Sequence, residues 1–312
     1  MSYRIDTTRM HHPDHLTYPE ISGVPSRVFA LSDIHVDTKQ NMDWLRALST
    51  TDYTADTLIL AGDVSDRLAV LKHTLVYLCK IFARVCFVPG NHELWVREKE
   101  DVDSIAKFWR IRRLCDAIGV HTQPVKTGSD RHGVWIVPLF AWYVKPEEGP
   151  ESLFVEKPGE DPTLAMWSDN YFTIWPPFQK PHTVTDYFLQ LNEPHIVRTY
   201  DAPVISFSHF VPRMELIYST QEERRTHGTI ITEDQHPQFN FSRVAGCTRI
   251  DKQIRRLGAV VHVYGHQHRN RNRLIDGVRY ISHCLGYPRE RHHNRIHGLA
   301  ERPILIWGTP DS

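Results

Sequence analysis

The chain has 312 residues, of which 41% are hydrophobic and 24% are charged, and its formal net charge at pH 7 is zero. This composition excludes a mainly disordered protein and is sufficient for a sizeable buried core. No heptad or collagen-like repeat is present, and no apolar run approaches the roughly 18 residues that a membrane span requires. We expect one domain over 1–312, with an irregular insertion at about 143–182.

The N-terminus and the cysteines predict a cytoplasmic protein that does not contact a membrane. Residues 1–15 contain no apolar stretch and do not resemble a signal or transit peptide. The five cysteines are an odd number, widely spaced and without a C-x-x-C pair, which is typical of reduced, buried thiols. The twenty histidines far exceed ordinary usage, and histidine is the commonest transition-metal ligand.

Short apolar runs alternate with helical spacing along the chain. Strands are predicted within 27–31, 57–62, 84–90, 133–140, 203–208, 259–265, 278–282 and 303–307. Helices are predicted at 42–48, 68–82, about 95–118, 184–198 with a kink or end at Pro194, and near 249–257. This alternation predicts an α/β protein with a largely parallel sheet, in which ligands bind at the carboxyl ends of the strands.

The segment 143–182 interrupts this pattern. It holds seven of the twenty prolines and many aromatic residues, and it is too long for a simple connector. We predict that it folds over the entrance of the site and sets substrate size, with one or more of Trp167, Trp175 and Phe178 as walls. Metal binding would then survive its shortening. A surface loop without function is the alternative.

Charge is also uneven along the chain. Residues 249–302 contain twelve Lys or Arg and four Asp or Glu, although the whole chain is neutral. This excess suggests an anionic substrate, and a solvated basic face is the alternative.

Five short polar blocks follow apolar runs, in the order Asp33-Ile34-His35, Gly62-Asp63, Gly90-Asn91-His92-Glu93, Ser208-His209-Phe210 and Gly265-His266-Gln267-His268. Each offers oxygen or imidazole nitrogen ligands, and none offers a thiolate. Two metal ions about 3.5–4 Å apart need a set of this kind, with one bridging carboxylate. Mixed nitrogen and oxygen ligands favour Mn, Fe, Zn or Co over Mg or Ca. We expect the D-x-H and H-x-H pairs to be extended, so that both side chains of a pair point into one cavity.

This ordered set resembles the motifs of the calcineurin-like metallophosphoesterase superfamily, and the resemblance extends from Asp33 to His268. It implies an α/β sandwich of two sheets flanked by helices. Carried over position by position, it implies one ion bound by Asp33, His35 and His268, a second bound by Asn91, His209 and His266, and a bridging Asp63.

The resemblance also implies a reaction. A hydroxide that bridges the two ions would attack the phosphorus of a phosphomonoester or phosphodiester. His92 would lie beside the centre as a general acid that protonates the leaving oxygen, or as a transition-state stabiliser.

The residues from Gly62 to Arg67 are similar to the G-D-x-V-D-R-G block of serine/threonine protein phosphatases, although Leu68 replaces the last glycine. By that analogy, Asp66 would orient His92 and Arg67 would bind phosphate. The alternative for Asp66 is an N-cap or first-turn acid of the helix that follows.

Several functions fit these motifs. We favour a phosphohydrolase that acts on an anionic, small phosphorylated molecule. A protein phosphatase is favoured by G-N-H-E but disfavoured by G-H-x-H, and a nuclease is disfavoured by the neutral net charge, so nucleic acid is not the expected partner. A scaffold without activity is disfavoured because every ligand position of the pattern is filled.

Overall fold

The computed structural model describes residues 27–97, 101–128, 133–147, 149–178, 182–227, 237–292 and 302–308, with only the backbone of Arg224, Thr226 and His227. The strands are β1 (Val28–Leu31), β2 (Thr57–Leu60), β3 (Arg84–Phe87), β4 (Val125–Thr127), β5 (Val134–Pro138), β6 (Val204–Phe207), β7 (Ala259–Tyr264), β8 (Arg271–Ile275), β9 (Val278–Ser282) and β10 (Ile304–Trp307). The helices are α1 (Lys39–Arg46), α2 (Leu68–Ile81), α3 (Ser104–Ile118), α4 (Asp169–Phe172), α5 (Val184–Leu191), α6 (Glu193–Ile196), α7 (Gln221–His227), α8 (Thr248–Arg256) and α9 (Pro288–His292).

The strands form two mixed sheets. The first has the order β10-β1-β2-β3, in which β10 is antiparallel to β1 and the other pairs are parallel. The second has the order β4-β5-β6-β7-β9-β8, in which only the two edge pairs are antiparallel. The central strands β1, β2 and β6 are buried at every residue, which explains why they read as continuous apolar runs. One hydrophobic core contains residues of both sheets, so the predicted two-sheet α/β architecture is confirmed.

Two strands and two helices differ from the sequence predictions. The edge strands β4 and β8 were not predicted because they are short or mostly polar, and β8 exposes alternate residues. Helix α3 begins at Ser104 rather than near Trp95, since the Asp103 carboxylate accepts a hydrogen bond from the Ala106 N–H at 2.7 Å and caps it. The predicted 184–198 helix is split between α5 and α6, with Pro194 in the first turn of α6.

Backbone hydrogen bonds join the loops that follow the central strands. The Asp33 N–H donates to the Gly62 carbonyl at 2.9 Å, and the His35 N–H donates to the Asp63 carbonyl at 3.1 Å. In the second sheet, the Gly265 N–H donates to the His209 carbonyl at 2.8 Å. The loops after β1 and β2, and those after β6 and β7, are therefore fixed in pairs at the carboxyl ends of their strands.

Candidate metal centre

The backbone of the polar blocks is in the left-handed region and is not extended. Seven non-glycine residues among those described have a positive φ, and five of them belong to the blocks: Asp33 (50°), His35 (39°), Asp63 (55°), His266 (73°) and His268 (52°). The expectation of extended D-x-H and H-x-H pairs is therefore wrong. Each pair turns sharply after its strand, and such strained residues are concentrated at functional sites.

Two glycines are required by the close approach of these loops. A Cβ atom at Gly62, whose φ is 81°, would lie 2.5 Å from His209 Nδ1. A Cβ atom at Gly90 would lie 2.2 Å from Asp63 Oδ1. The glycines of the G-D and G-N-H-E blocks therefore allow the loops to pack directly against the predicted ligands.

The first group of candidate ligands comprises Asp33, His35, Asp63 and His268, each offering one ligand atom within 4.8 Å of the others. The Nε2 atoms of His35 and His268 are 3.0 Å apart. His268 Nε2 lies 3.5 Å from Asp33 Oδ1. The loops after β1, β2 and β7 thus bring these four side chains to one point.

The second group shares Asp63 with the first and adds His209 and His266, again within 4.8 Å of one another. His209 Nε2 is 3.4 Å from Asp63 Oδ2 and 3.2 Å from His266 Nδ1. Asn91 Oδ1 lies 3.1 Å from both of these ring nitrogens. All seven residues that the sequence predicted as ligands therefore converge, and Asp63 lies where the two groups meet.

Three of the imidazoles have one ring nitrogen hydrogen bonded outside the centre. His209 Nδ1 is 2.9 Å from the Ala61 carbonyl, His266 Nε2 is 3.0 Å from the Val244 carbonyl, and His268 Nδ1 is 2.8 Å from Glu290 Oε2. Each of these acceptors requires a proton on the nitrogen that it contacts. The opposite nitrogen of each ring then directs its lone pair into the centre, as metal-binding histidines do.

The atoms that face the centre suit a bound cation. With a proton on the outer nitrogen alone, His209 and His266 would point lone pairs at each other and at the Asn91 carbonyl oxygen, and none of these three atoms would then be a donor. Asp33 Oδ2 is buried and has no hydrogen-bond partner among the described residues. Converging acceptors without donors are the condition that a metal ion satisfies.

The charges at the centre agree with this reading. Burial raises the pKa of Asp63, but the imidazoles of His209 and His92 outweigh burial and hold it well below its usual range. Burial lowers the pKa of His209, but Asp63 outweighs burial and raises it to about 9. The carboxylates therefore favour positive charge at this point, which a proton or a metal ion can supply.

Glu93 fixes the two loops that carry Asp63 and Asn91. Its Oε2 accepts hydrogen bonds from the backbone N–H groups of Asp63 at 2.9 Å and Gly90 at 2.7 Å. Its Oε1 accepts from Val64 at 2.7 Å and Ser65 at 3.0 Å. Sequence reasoning gave this residue no role, although its place in the G-N-H-E block was a signal.

His92 lies beside the two groups without belonging to either. Its Nε2 is 3.8 Å from Asp63 Oδ2, and 15% of its side chain is exposed, compared with 12% for the proposed ligand His268. Its ring packs on Trp95 with 3.7 Å between centroids. The position agrees with the predicted role at the edge of the centre, where a substrate oxygen could reach it.

Asp66 and Arg67 have other partners than those predicted. The Asp66 carboxylate forms an ion pair with Arg97 at 2.8 Å rather than contacting His92. Arg67 pairs with Asp37 at 3.0 Å and is itself the N-cap of α2, so Asp66 precedes the cap. Nothing in these contacts supports the predicted roles of orienting His92 and binding phosphate.

The predicted walls of the insertion differ in their surroundings. Trp167 lies edge-on to His266, with 5.8 Å between ring centroids. Trp175 instead packs on Trp142 at 4.8 Å, and Phe178 packs on Tyr187 at 5.9 Å. Only Trp167 of the three therefore has a ring contact with a predicted ligand in the described structure.

Asp169, Glu290 and Tyr287 contact the predicted ligands but were missed by sequence reasoning. Asp169 accepts a hydrogen bond from Asn91, Glu290 contacts His268, and the Tyr287 ring stacks on His35 with 4.3 Å between centroids. None of them is part of a motif, and their partners are distant in sequence. No sequence signal could have placed them here.

Several basic residues of the segment 249–302 pair with acidic residues from elsewhere in the chain, and residues 293–301 lie outside the described structure. Arg249 and Lys252 pair with Glu151, and Arg256 pairs with Glu193. Arg271 and Arg273 both pair with Glu223. These pairs account for part of the charge excess of the segment.

The remaining observations concern the thiols and the membrane. All five cysteines are free, and all but Cys79 are buried, as predicted. Among the described helices, none combines the length and apolar character that crossing a membrane would require.

The fold and these residues define a metal-dependent phosphoesterase, and a family model described as calcineurin-like phosphoesterase matches residues 26–270. The chain therefore belongs to the calcineurin-like phosphoesterase family. It is 29% identical over 282 residues to the acyl-carrier-protein phosphodiesterase PptH of Mycobacterium tuberculosis, a match that covers 87% of this chain and 81% of that protein. The crystal structure of phosphopantetheinyl hydrolase PptH from that organism matches with a TM-score of 0.65 and 26% identity, covering 90% of this chain and 96% of that one. The predictions of the family and of a phosphohydrolase are confirmed.

Proposed function

We propose that this chain is a phosphodiesterase that binds two transition-metal ions and removes a phosphopantetheinyl group from an acyl carrier protein. The observation that carries the catalytic part is the pair of ligand groups that share Asp63. The similarity to PptH over most of both chains supports the substrate class. A protein-attached substrate thus replaces the small molecule expected from the sequence.

The ligand assignment follows the two groups. Asp33, His35 and His268 would bind one ion, Asn91, His209 and His266 the other, and Asp63 would bridge them. The mixed nitrogen and oxygen donors favour Mn, Fe or Zn. Two such ions, when bound, lower the pKa of a coordinated water and neutralise charge on the phosphoryl oxygens. A cytoplasmic location stays a prediction.

The protein residues around the ions have separate tasks in this proposal. Glu93 maintains the spacing of the Asp63 and Asn91 loops through its four backbone contacts. His92 donates a proton to the leaving oxygen, since its ring is partly exposed beside Asp63. In a phosphopantetheinyl carrier protein that oxygen belongs to a serine alkoxide, which is a poor leaving group without a proton.

Two aromatic rings border the centre and support an extended substrate. Tyr287 stacks on His35, which belongs to the first ligand group. Trp167 lies against His266, which belongs to the second, and Phe239 stacks on Trp167 with 5.3 Å between centroids. A substrate whose phosphodiester lies at the ions can place its arm against one of these apolar surfaces.

The test is hydrolysis of a purified phosphopantetheinyl acyl carrier protein in the presence of Mn²⁺, followed by mass spectrometry of the protein. We expect release of the phosphopantetheinyl group by the wild type and none by Asp63→Asn. The same preparation is assayed with p-nitrophenyl phosphate, bis-p-nitrophenyl phosphate, a phosphopeptide and single-stranded DNA. Faster hydrolysis of the phosphopeptide or the DNA than of the carrier protein would contradict the proposed substrate.

A further inference from the structure

We propose that Asp169 is a positioning residue that fixes the orientation of the Asn91 amide, which makes the 143–182 insertion a part of the metal centre. This inference rests on the proposed function, because it assigns a task to one of the proposed ligands. Asp169 opens helix α4, outside the five polar blocks and 78 residues after Asn91.

The Asp169 carboxylate is buried and accepts four side-chain hydrogen bonds. Oδ1 accepts from Asn91 Nδ2 at 2.9 Å and from Trp95 Nε1 at 2.6 Å. Oδ2 accepts from Trp167 Nε1 at 3.0 Å and from the Tyr143 hydroxyl at 3.1 Å. An ionised carboxylate has about four lone-pair sites, so these contacts use its full capacity.

This contact decides which end of the Asn91 amide faces the centre. A carboxylate only accepts hydrogen bonds, so the amide must present Nδ2 to Asp169. Oδ1 is then directed at the opposite side, where it lies 3.1 Å from His209 Nε2 and from His266 Nδ1. A reversed amide would present hydrogens to a cation, and only the amide oxygen can ligate one.

The same carboxylate also links His92 to the insertion. Trp95, which donates to Asp169 Oδ1, supplies the ring on which His92 packs. Trp167, which donates to Oδ2, lies against His266. One buried side chain of the insertion therefore contacts a proposed ligand and two aromatic rings that border the site.

A second contact of the insertion reaches the same ligand group. Glu147 and Glu160 of the insertion pair with Arg243 at 2.6 and 2.9 Å. The next residue is Val244, whose carbonyl is 3.0 Å from His266 Nε2. Asn91 and His266 thus both depend on the insertion, whereas Asp33 and His35 receive their backbone contacts from the β2 loop.

The test is a titration of metal-free protein with Mn²⁺ under equilibrium dialysis, with elemental analysis of bound metal. We expect two ions for the wild type. Asp169→Asn should lower the affinity for one of these ions about 10–100-fold and leave the affinity for the other unchanged, because partners of metal ligands typically contribute that much to affinity. Asp161→Asn is the matched control, since Asp161 is an exposed carboxylate of the same insertion that contacts Thr163 and Ala165.

A double substitution tests the direction of the contact. Asn91→Asp places two carboxylates against each other, and adding Asp169→Asn restores one donor and one acceptor with their roles exchanged. Asp169→Asn should therefore lower the affinity for the ion that Asn91 binds in the wild-type background and raise it in the Asn91→Asp background. The positioning role would be overturned if Asp169→Asn lowered the affinities for both ions equally, or if its effect on affinity had the same sign in both backgrounds.

A measurement on the wild type covers the case in which Asp169→Asn does not fold. The Asn91 side-chain N–H groups should exchange slowly with solvent in the metal-free protein, as read by nuclear magnetic resonance. Fast exchange would overturn the proposal. A wild type that binds fewer than two ions would instead contradict the proposed function, whereas two ions with unchanged affinities in Asp169→Asn contradict the positioning role alone.

Discussion

The backbone N–H of Asp63 donates a hydrogen bond to Glu93 Oε2 at 2.9 Å, so the proposed bridging residue is fixed by a carboxylate from the next loop. Glu93 is fully buried and accepts three further backbone N–H groups. Burial and the Asp63 charge raise its pKa, and the backbone donors of Ser65 and Gly90 oppose that rise. Glu93 thus couples the stability of the fold to the spacing of the ligands.

Glu93→Gln should lower the free energy of unfolding by about 3 kcal/mol, because an amide N–H₂ would face two backbone donors and charged hydrogen bonds contribute about 1.5–3 kcal/mol each. Urea denaturation measures this loss. Asp43→Asn is the control, since Asp43 forms an exposed pair with Lys39 and its loss should cost less than about 0.5 kcal/mol. Similar small losses in both variants would contradict the role of Glu93.

Asp63→Asn should remove most bound metal and nearly all hydrolysis. Asp63 belongs to both ligand groups, so its charge would be lost at both ions together. Elemental analysis and activity on bis-p-nitrophenyl phosphate measure the two effects. Full two-metal occupancy in this variant would show that Asp63 does not bridge.

His92→Ala should slow turnover about 10²–10⁴-fold while two ions remain bound, as expected for loss of a general acid. The loss should be smaller for nitrophenyl esters, because nitrophenolate leaves without a proton. Comparing alkyl and nitrophenyl esters of the same phosphate separates the two cases. An equal loss for both esters would exclude proton donation and leave an electrostatic role.

His262 should make the protein less stable in acid. Its ring is fully buried between Ser206 Oγ at 2.9 Å and Ser208 Oγ at 3.1 Å, and burial lowers its pKa to about 3. The unfolded chain takes up this proton near pH 6.5 and the folded chain does not, so stability falls as pH drops from about 6.5 towards 3, by up to about 1.4 kcal/mol per pH unit.

His262→Gln should lower the number of protons taken up on unfolding by about one and so flatten the dependence of stability on pH. Urea denaturation between about pH 7 and pH 5 measures this change. The glutamine can still hydrogen bond both serines, so the variant should fold. An unchanged slope would assign the acid sensitivity to other groups.

Trp167→Ala should change the ratio of activities on carrier protein and nitrophenyl substrates, because Trp167 borders His266. Trp175→Ala should instead lower thermal stability without changing that ratio, since Trp175 packs on Trp142 and Phe188. For both variants, assays on the substrate panel measure the activity ratio and a melting curve measures thermal stability. The same activity ratio in Trp167→Ala and the wild type would mean that this ring is not a substrate wall.

Shortening the insertion between 144 and 180 tests its role as a whole. The sequence alone predicts that such a variant keeps its metal. The Asp169–Asn91 hydrogen bond predicts the opposite, because the deleted segment contains Asp169. Metal content equal to that of the wild type would contradict a role of the insertion in the metal centre.

The sequence by itself determined which strands are followed by ligand-bearing loops and which residue types lie at the site. Apolar runs without alternation predicted the buried central strands, and polar blocks at their ends predicted the seven residues that converge at the centre. These features are local, because a buried strand and the turn that follows it are each specified by a few consecutive residues.

Only the tertiary structure decided how those blocks face one another. The left-handed turns at Asp33 and His266 replaced the extended pairs that spacing had suggested, and they depend on packing between loops. Asp169, Glu290 and Tyr287 reach the centre from distant segments, and Asp66 and Arg67 turn to Arg97 and Asp37. A hydrogen bond between residues 78 positions apart leaves no local pattern in the sequence, because its geometry exists only once both sheets have packed.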